Sequence, residues 1–133
     1  EQKITDFTGT FKLNTSNNFD EFLEELGVNV VLINMAKMST PVVNITKDGD
    51  IYTLKTIAGF KNSEIKFELG KEFEEARMDG NTVKTVVVAD GNKLIQTQHG
   101  KKEVKIVREF NGNEMKVTAS VGKVVSVRTY AKQ

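Results

Sequence analysis

The sequence is most informative at first for what it lacks. Its 133 residues contain no cysteine and no tryptophan, one histidine and one proline. The absence of cysteine excludes a disulfide framework and a cysteine nucleophile. The one histidine, His99, lies in the turn-like segment QHGKK, so neither serine–histidine catalysis nor a histidine-based metal site has a candidate set of residues. An enzyme is therefore disfavoured, and no metal or cofactor is expected.

Charge and hydropathy exclude further classes of protein. The 19 Lys and Arg residues against 18 Asp and Glu residues leave a net charge of +1, which gives no basic field for nucleic acid. Exposed aromatic platforms for single-stranded nucleic acid are also scarce, since there are only two tyrosines. No apolar run approaches the length of a membrane-spanning helix. Because residue 1 is Glu rather than Met, we expect processing or trimming of the chain, and a removed leader stays open.

Regularly spaced glycines predict a β-meander. From residue 41 onward they occur at 49, 59, 70, 80, 91, 100, 112 and 122, and Asp-Gly or Asn-Gly pairs in KDGD, MDGN, ADGN and FNGN are typical of tight hairpin turns. Eight turns separate nine strands, and FTGTFKL at residues 7–13 adds a tenth. An antiparallel sheet of that size removes its edges by closing. The sequence thus predicts one all-β domain over residues 1–133, folded as a ten-strand barrel.

Residues 18–38 interrupt this rhythm with two short helices. NNFDEFLEELG places Phe19, Phe22, Leu23 and Leu26 on one helical face. Asn18 and Glu21 have the spacing of a capping box, and Gly27 is placed to end the helix. In the second helix the pattern predicts a face of Val28, Val31, Leu32 and Met35, with Val30 and Ile33 off it. We expect this helical pair to form a lid over the barrel.

Two arginines, each in a predicted strand with alternating side chains, are the candidate binding residues. Arg128 and Tyr130 share a strand face with Ser126, and Arg108 shares one with Ile106 and Phe110. A ten-strand barrel is too wide for side chains alone to fill, so it should enclose a cavity in which these residues hold the anionic head of an amphiphile. The spacing leaves two alternatives open, a buried ion pair with an internal carboxylate such as Asp79, or a solvated surface position. The acidic run at 72–75, with Glu75 in it, predicts a solvated strand.

Several segments resemble the intracellular fatty-acid-binding proteins, a lipocalin-like family that also includes retinoid carriers. They are GTFKLNTSNNFDEFLEEL, FKNSEIKFELGKEFEE, ADGNKLIQTQ, IVREF and VRTY, which cover nearly the whole chain in the expected order. The sequence is most similar to arthropod members, including the mite group regarded as minor allergens. The resemblance implies a clam-shaped, up-and-down ten-strand barrel with a helix-turn-helix cap. It also implies a cytoplasmic, monomeric carrier of a long-chain fatty acid, with a retinoid or another anionic hydrophobic ligand as the alternative.

The resemblance assigns roles to individual residues. Arg108, Arg128 and Tyr130 match the trio that binds the ligand carboxylate in the heart and adipocyte branch. Acidic Glu24 and Glu25 stand where members that collide with membranes carry Lys, so transfer by collision with anionic membranes is not expected, while Val30 and Ile33 leave a weaker transient hydrophobic membrane contact. The residues matched to cavity or portal positions are Phe19, Pro41, Thr56, Phe60, Asp79, Gln98 and Val117.

Overall fold

The protein is a ten-stranded antiparallel sheet wrapped into a nearly closed barrel, with two helices between the first and second strands. The computed structural model describes residues 5–133. The helices are α1 (Phe19–Leu26) and α2 (Val30–Lys37). The strands are β1 (Gly9–Asn17), β2 (Val42–Asp48), β3 (Ile51–Ile57), β4 (Asn62–Glu68), β5 (Phe73–Ala76), β6 (Thr82–Asp90), β7 (Lys93–His99), β8 (Val104–Asn111), β9 (Glu114–Val121) and β10 (Val124–Lys132).

Neighbouring strands in the sheet are consecutive in the chain, except that β1 pairs with β10. The strands lie in the order β4-β3-β2-β1-β10-β9-β8-β7-β6-β5, so the first and last strands pair and the two ends of the sheet are β4 and β5. Short hairpin turns connect most strands, and Gly112 and Gly122 adopt φ angles of 59° and 56° there, which suits glycine at a tight turn. The predicted ten-strand antiparallel barrel with a helical insertion is therefore confirmed.

Helix α1 forms as the apolar spacing predicted, but its first residue is capped differently. Phe22, Leu23 and Leu26 are buried, and Gly27 ends the helix with φ at 93°. The predicted capping box is wrong: Asn18 has a left-handed φ of 63° and makes no side-chain cap. Its amide instead donates to the carbonyl of Val125 on β10 at 3.4 Å.

The predicted buried face of α2 is wrong at two of its four positions. Ile33 and Ala36 are its buried residues, whereas Val31 and Met35 are 56% and 45% exposed. Because six of the eight residues of VVLINMAK are apolar, Asn34 and Lys37 give this helix only a narrow polar face, which is too little to orient it. Packing against α1 and the barrel decides which side is covered.

The buried side chains form two clusters, one at each end of the barrel. The first joins strands through Phe11, Ile45, Leu94 and Met115, all at most 2% exposed. The second packs α1 against β8 and β9 through Leu23, Leu26, Val104 and Val121, as expected for a lid seated on the barrel. The space between these two clusters is the cavity described next.

Candidate functional site

A cavity of about 260 Å³ lies inside the barrel beneath α1. Its wall is mostly apolar, with Leu54, Ile65, Met78 and Val104 among the side chains that form it. All three residues of the predicted carboxylate-binding trio and six of the seven predicted cavity or portal residues line it. These are Arg108, Arg128 and Tyr130, with Phe19, Pro41, Thr56, Phe60, Gln98 and Val117.

Strand register explains why the two arginines are neighbours. On β9, Val117 pairs with Arg108 of β8 on one side and with Arg128 of β10 on the other. Residues in one row across a sheet point to the same face, and adjacent strands lie about 4.8 Å apart. The two guanidinium groups therefore project into the cavity from positions about 10 Å apart at the backbone, within reach of one shared anion.

Arg128 holds its position through one weak hydrogen bond and two aromatic rings. Its Nε donates to Ser16 Oγ on β1 at 3.2 Å. The guanidinium carbon lies 3.9 Å from the ring centroid of Phe19 on α1 and 6.0 Å from that of Tyr130. These contacts fix the side chain by cation–π attraction while its two terminal nitrogens form no hydrogen bond within residues 5–133.

Arg108 is held by a neutral partner. Its Nη1 donates to the side-chain oxygen of Gln96 on β7 at 2.6 Å, and this is the one hydrogen bond it makes within the described residues. Burial lowers the pKa of Arg108, and the negative charge of Glu75 acts in the opposite direction. Burial likewise lowers the pKa of Arg128. Both groups thus lose favourable hydration without gaining a contacting anion from the described part of the chain.

Within the described residues, Asp79 does not form an ion pair with Arg108 or Arg128. Neither Arg108 nor Arg128 has a carboxylate oxygen within 4.0 Å in residues 5–133. Asp79, expected at a cavity or portal position, is not in the cavity wall and instead pairs with Arg77 at 2.8 Å. The turn between β5 and β6 folds Asp79 back onto its own neighbour, and Arg77 is the member of the pair that reaches the cavity.

Glu75 on β5 is a cavity residue that sequence reasoning missed. It was expected on a solvated strand, but it lines the cavity and accepts hydrogen bonds from Thr85, Gln96 and Gln98. A usable signal was present, since Phe73 stands two residues earlier and residues two apart on a strand share a face. The neighbouring Glu74 faces solvent.

The charges of the cavity wall sum to one positive charge in its interior. Arg108 and Arg128 contribute two positive charges and Glu75 one negative charge, while Arg77 is neutralised by Asp79 and Lys61 is exposed. The hydroxyl of Tyr130 forms no hydrogen bond within residues 5–133 and adds a neutral donor. The arrangement suits one singly charged anion attached to an apolar body.

Neither a metal site nor a membrane-spanning helix is found in the described residues. Across residues 5–133, no group of three or more His, Cys, Asp or Glu side chains could hold a metal ion. In the same part of the chain, neither helix is long and apolar enough to cross a membrane.

Comparison with known proteins identifies the same family throughout. The family model described as "Lipocalin / cytosolic fatty-acid binding protein family" matches residues 8–133. The fatty acid-binding protein of Lepidoglyphus destructor is 52% identical over 130 residues, which cover 97% of this chain and 99% of that protein. That of Tyrophagus putrescentiae is 53% identical over 131 residues, covering 98% of this chain and all of the relative. The predicted resemblance to mite members is confirmed.

Solved structures agree with these relatives. The fatty acid-binding protein from brain tissue of Drosophila melanogaster has a TM-score of 0.92 and 47% identity, covering 95% of this chain and 99% of its own. A Schistosoma mansoni fatty acid binding protein, solved in complex with arachidonic acid, has a TM-score of 0.91 and 40% identity and covers 96% of each chain.

Proposed function

This chain belongs to the lipocalin / cytosolic fatty-acid binding protein family, and on that premise we propose that it carries a long-chain fatty acid in its internal cavity. The family is one of binding proteins and carriers rather than enzymes. The relatives named as fatty acid-binding proteins, and the Schistosoma protein solved with arachidonic acid, support the ligand class.

The observation that carries the proposal is the single net positive charge inside an apolar cavity. Among the residues that the structure describes, Arg108 and Arg128 have one neutral acceptor each, so most of their donors are available to a carboxylate, and Tyr130 offers a hydroxyl beside them. A guanidinium donates two parallel hydrogen bonds to a carboxylate, which fixes the head of the ligand. The proposed head-group site is therefore Arg108, Arg128 and Tyr130.

The acyl tail supplies most of the binding free energy in this proposal. Burial of one methylene contributes about 0.8 kcal/mol, so a chain of roughly sixteen carbons contributes about 12 kcal/mol before costs. Ordering of the tail and loss of its translational freedom reduce this value. The head group then orients the ligand and selects for an anion.

A displacement titration on delipidated protein tests the proposal. A fluorescent apolar probe is bound and then displaced by oleate, oleyl alcohol and retinoic acid at neutral pH. We expect oleate to displace the probe at about micromolar concentration or below, with the alcohol weaker because it lacks the charge. Retinoic acid displacing the probe more strongly than oleate would favour a retinoid carrier, and displacement by none of the three would overturn the carrier proposal.

We also propose a brief contact between α2 and a neutral bilayer during transfer. The outward face of α2 exposes Val30, Val31, Met35 and Met38, at 67%, 56%, 45% and 88%. Ile33, which was expected to help, is buried and drops out of this contact. Helix α1 adds exposed acidic side chains, so anionic lipid should repel the lid.

Transfer of a fluorescent fatty acid to phosphatidylcholine vesicles tests this contact. In wild type we expect the rate to rise with vesicle concentration. The change Met38→Glu should slow transfer by severalfold, since a charge at the bilayer surface is costly to bury. The control Val88→Glu places the same charge at an exposed apolar position on β6. Equal slowing by both variants, or a rate independent of vesicles, would contradict the contact.

A further inference from the structure

One oxygen of Glu75 is the meeting point of three buried donors. Oε1 accepts from Gln96 Nε2 at 2.8 Å, Thr85 Oγ1 at 3.0 Å and Gln98 Nε2 at 3.1 Å. These donors are 1%, 0% and 4% exposed, respectively. The carboxylate is thus held rigidly by the wall of β6 and β7 and cannot swing out of the cavity at low cost.

The direction of these bonds is set by Arg108. Arginine can only donate, so the side-chain oxygen of Gln96 must face Arg108. The amide nitrogen of Gln96 then faces Glu75, and Glu75 Oε1 must accept. The second carboxylate oxygen, Oε2, forms no hydrogen bond within residues 5–133, although Glu75 is part of the cavity wall.

The charge of the cavity restricts what Oε2 can meet. A fatty acid carboxylate already balances the net positive charge left by Arg108, Arg128 and Glu75. A second group that was positively charged, such as an ammonium, would leave that charge unbalanced in a largely apolar space, at high cost. A neutral hydrogen-bond donor adds no charge, and the hydroxyl is the smallest one that an acyl chain can carry.

We infer that Glu75 forms a second polar subsite, which accepts a hydroxyl group on the acyl chain of the bound lipid. This subsite rests on the proposed fatty-acid function and adds a ligand class to it, the hydroxylated fatty acids. The head-group site holds the carboxylate, and Glu75 reads a hydroxyl at a fixed distance along the tail.

The test compares pairs of ligands that differ only by the two hydrogens that distinguish a secondary alcohol from its ketone. Stearic acids with a single hydroxyl, and their ketone counterparts with the oxygen at the same carbon, displace a bound fluorescent probe from delipidated protein. A hydroxyl can donate to Glu75 and a ketone cannot. In wild type we expect the hydroxyl to be preferred about tenfold at one position along the chain and the preference to fade on either side of it.

The change Glu75→Gln should abolish or reverse that preference. The side-chain oxygen of Gln at this position must still serve the same three donors, so its amide nitrogen would replace Oε2 and present a donor to the cavity. A ketone accepts from that nitrogen, and the hydroxyl-to-ketone ratio should fall to about one or below. The matched control is Glu74→Gln, one residue away on the solvent face of β5, which should keep the wild-type ratio.

Unsubstituted stearate is titrated alongside to separate the two proposals. If stearate fails to bind wild type, the carrier proposal itself falls. If stearate binds both proteins but the hydroxyl-to-ketone ratio is the same in wild type and Glu75→Gln, the subsite is overturned and Glu75 only orients Gln96. Wild type alone provides a second test. A hydroxyl-to-ketone ratio that is the same at every position along the acyl chain would also overturn the subsite.

Discussion

The protein buries arginine in two different ways, and the contrast separates structure from function. Arg77, with a side chain 4% exposed, donates to both oxygens of Asp79 at 3.2 and 2.8 Å and to the carbonyl of Lys102 at 2.8 Å. Within residues 5–133, Arg108 and Arg128 have one neutral acceptor each, Gln96 and Ser16. In this described part of the chain, the first arginine is paired with a charge and the other two are not.

Pairing indicates which charges belong to the fold. A buried arginine that is bound by a carboxylate and a carbonyl ties two turns together, and its removal leaves the carboxylate uncompensated. A buried arginine without an anion costs the folded state several kcal/mol by rough measure. Arg108 and Arg128 carry that cost in the ligand-free protein, so their stabilising partner is best sought outside the chain.

The largest expected effect is therefore on stability, at Arg77. The change Arg77→Met should lower the free energy of unfolding by about 3 to 5 kcal/mol, because Asp79 is left buried and unpaired. Urea denaturation followed by circular dichroism measures the loss. The double change Arg77→Met and Asp79→Asn should recover part of it, since the uncompensated charge is then gone.

An exposed ion pair serves as the control for Arg77. Lys55 and Glu64 lie 3.7 Å apart with side chains 54% and 44% exposed, and Lys55→Met should cost less than about 1 kcal/mol. Equal losses of unfolding free energy for Lys55→Met and Arg77→Met would mean that burial does not strengthen the Arg77–Asp79 pair. Arg77 could then no longer be called a structural arginine.

The next effect is on binding, at Arg128. The change Arg128→Met should weaken oleate binding by about 1.5 to 3 kcal/mol, the usual range for hydrogen bonds to a charged group. Binding of oleyl alcohol should change much less. The free energy of unfolding of the ligand-free protein should stay within about 1 kcal/mol of wild type or increase, because an unpaired buried charge is removed while Ser16 is left exposed to water.

Two outcomes would break the contrast between Arg128 and Arg77. One is a loss of stability for Arg128→Met as large as that for Arg77→Met, which would place Arg128 among the structural arginines. The other is an equal loss of affinity for oleate and oleyl alcohol, which would show that Arg128 packs against the tail and does not bind the carboxylate.

Most of the strands and turns, and helix α1, could be predicted from the sequence because the patterns that indicate them are local. Glycines in Asp-Gly and Asn-Gly pairs marked the turns, and alternation marked the strands between them. Side-chain period places Ser126, Arg128 and Tyr130 on one face of β10, and this is the face that the structure buries. Helix α1 was equally clear, since its apolar and acidic residues fall on opposite faces.

The parts that sequence could not give depend on contacts between distant residues. Glu74 and Glu75 are chemically identical, and although the spacing from Phe73 favours Glu75 for the inward face, the donors on β6 and β7 are what place its carboxylate in the cavity. The partner of Asp79 was likewise open, because pairing with Arg77 or with an arginine across the barrel requires the same residue types. The mostly apolar α2 could be oriented only by what packs against it.

The smallest expected effect is on stability at low pH, where variants of the paired Arg77 and of the unpaired Arg128 should again differ. Burial acts to raise the pKa of Asp79, but hydrogen bonds from Arg77 and Asn81 outweigh it and the net shift is downward from 3.8. A carboxyl with a lowered pKa in the folded state adds stability above about pH 3.8 and loses it as the pH falls through the lowered value. One such group changes the free energy of unfolding by at most about 1.4 kcal/mol per pH unit.

Urea midpoints measured below pH 4 should therefore fall less steeply for the double change Arg77→Met and Asp79→Asn than for wild type. The change Arg128→Met should keep the wild-type slope, because the guanidinium that it removes is charged throughout this pH range. Parallel slopes for all three proteins would show that the Arg77–Asp79 pair does not contribute to acid sensitivity, and the distinction between paired and unpaired arginines would then have to rest on binding alone.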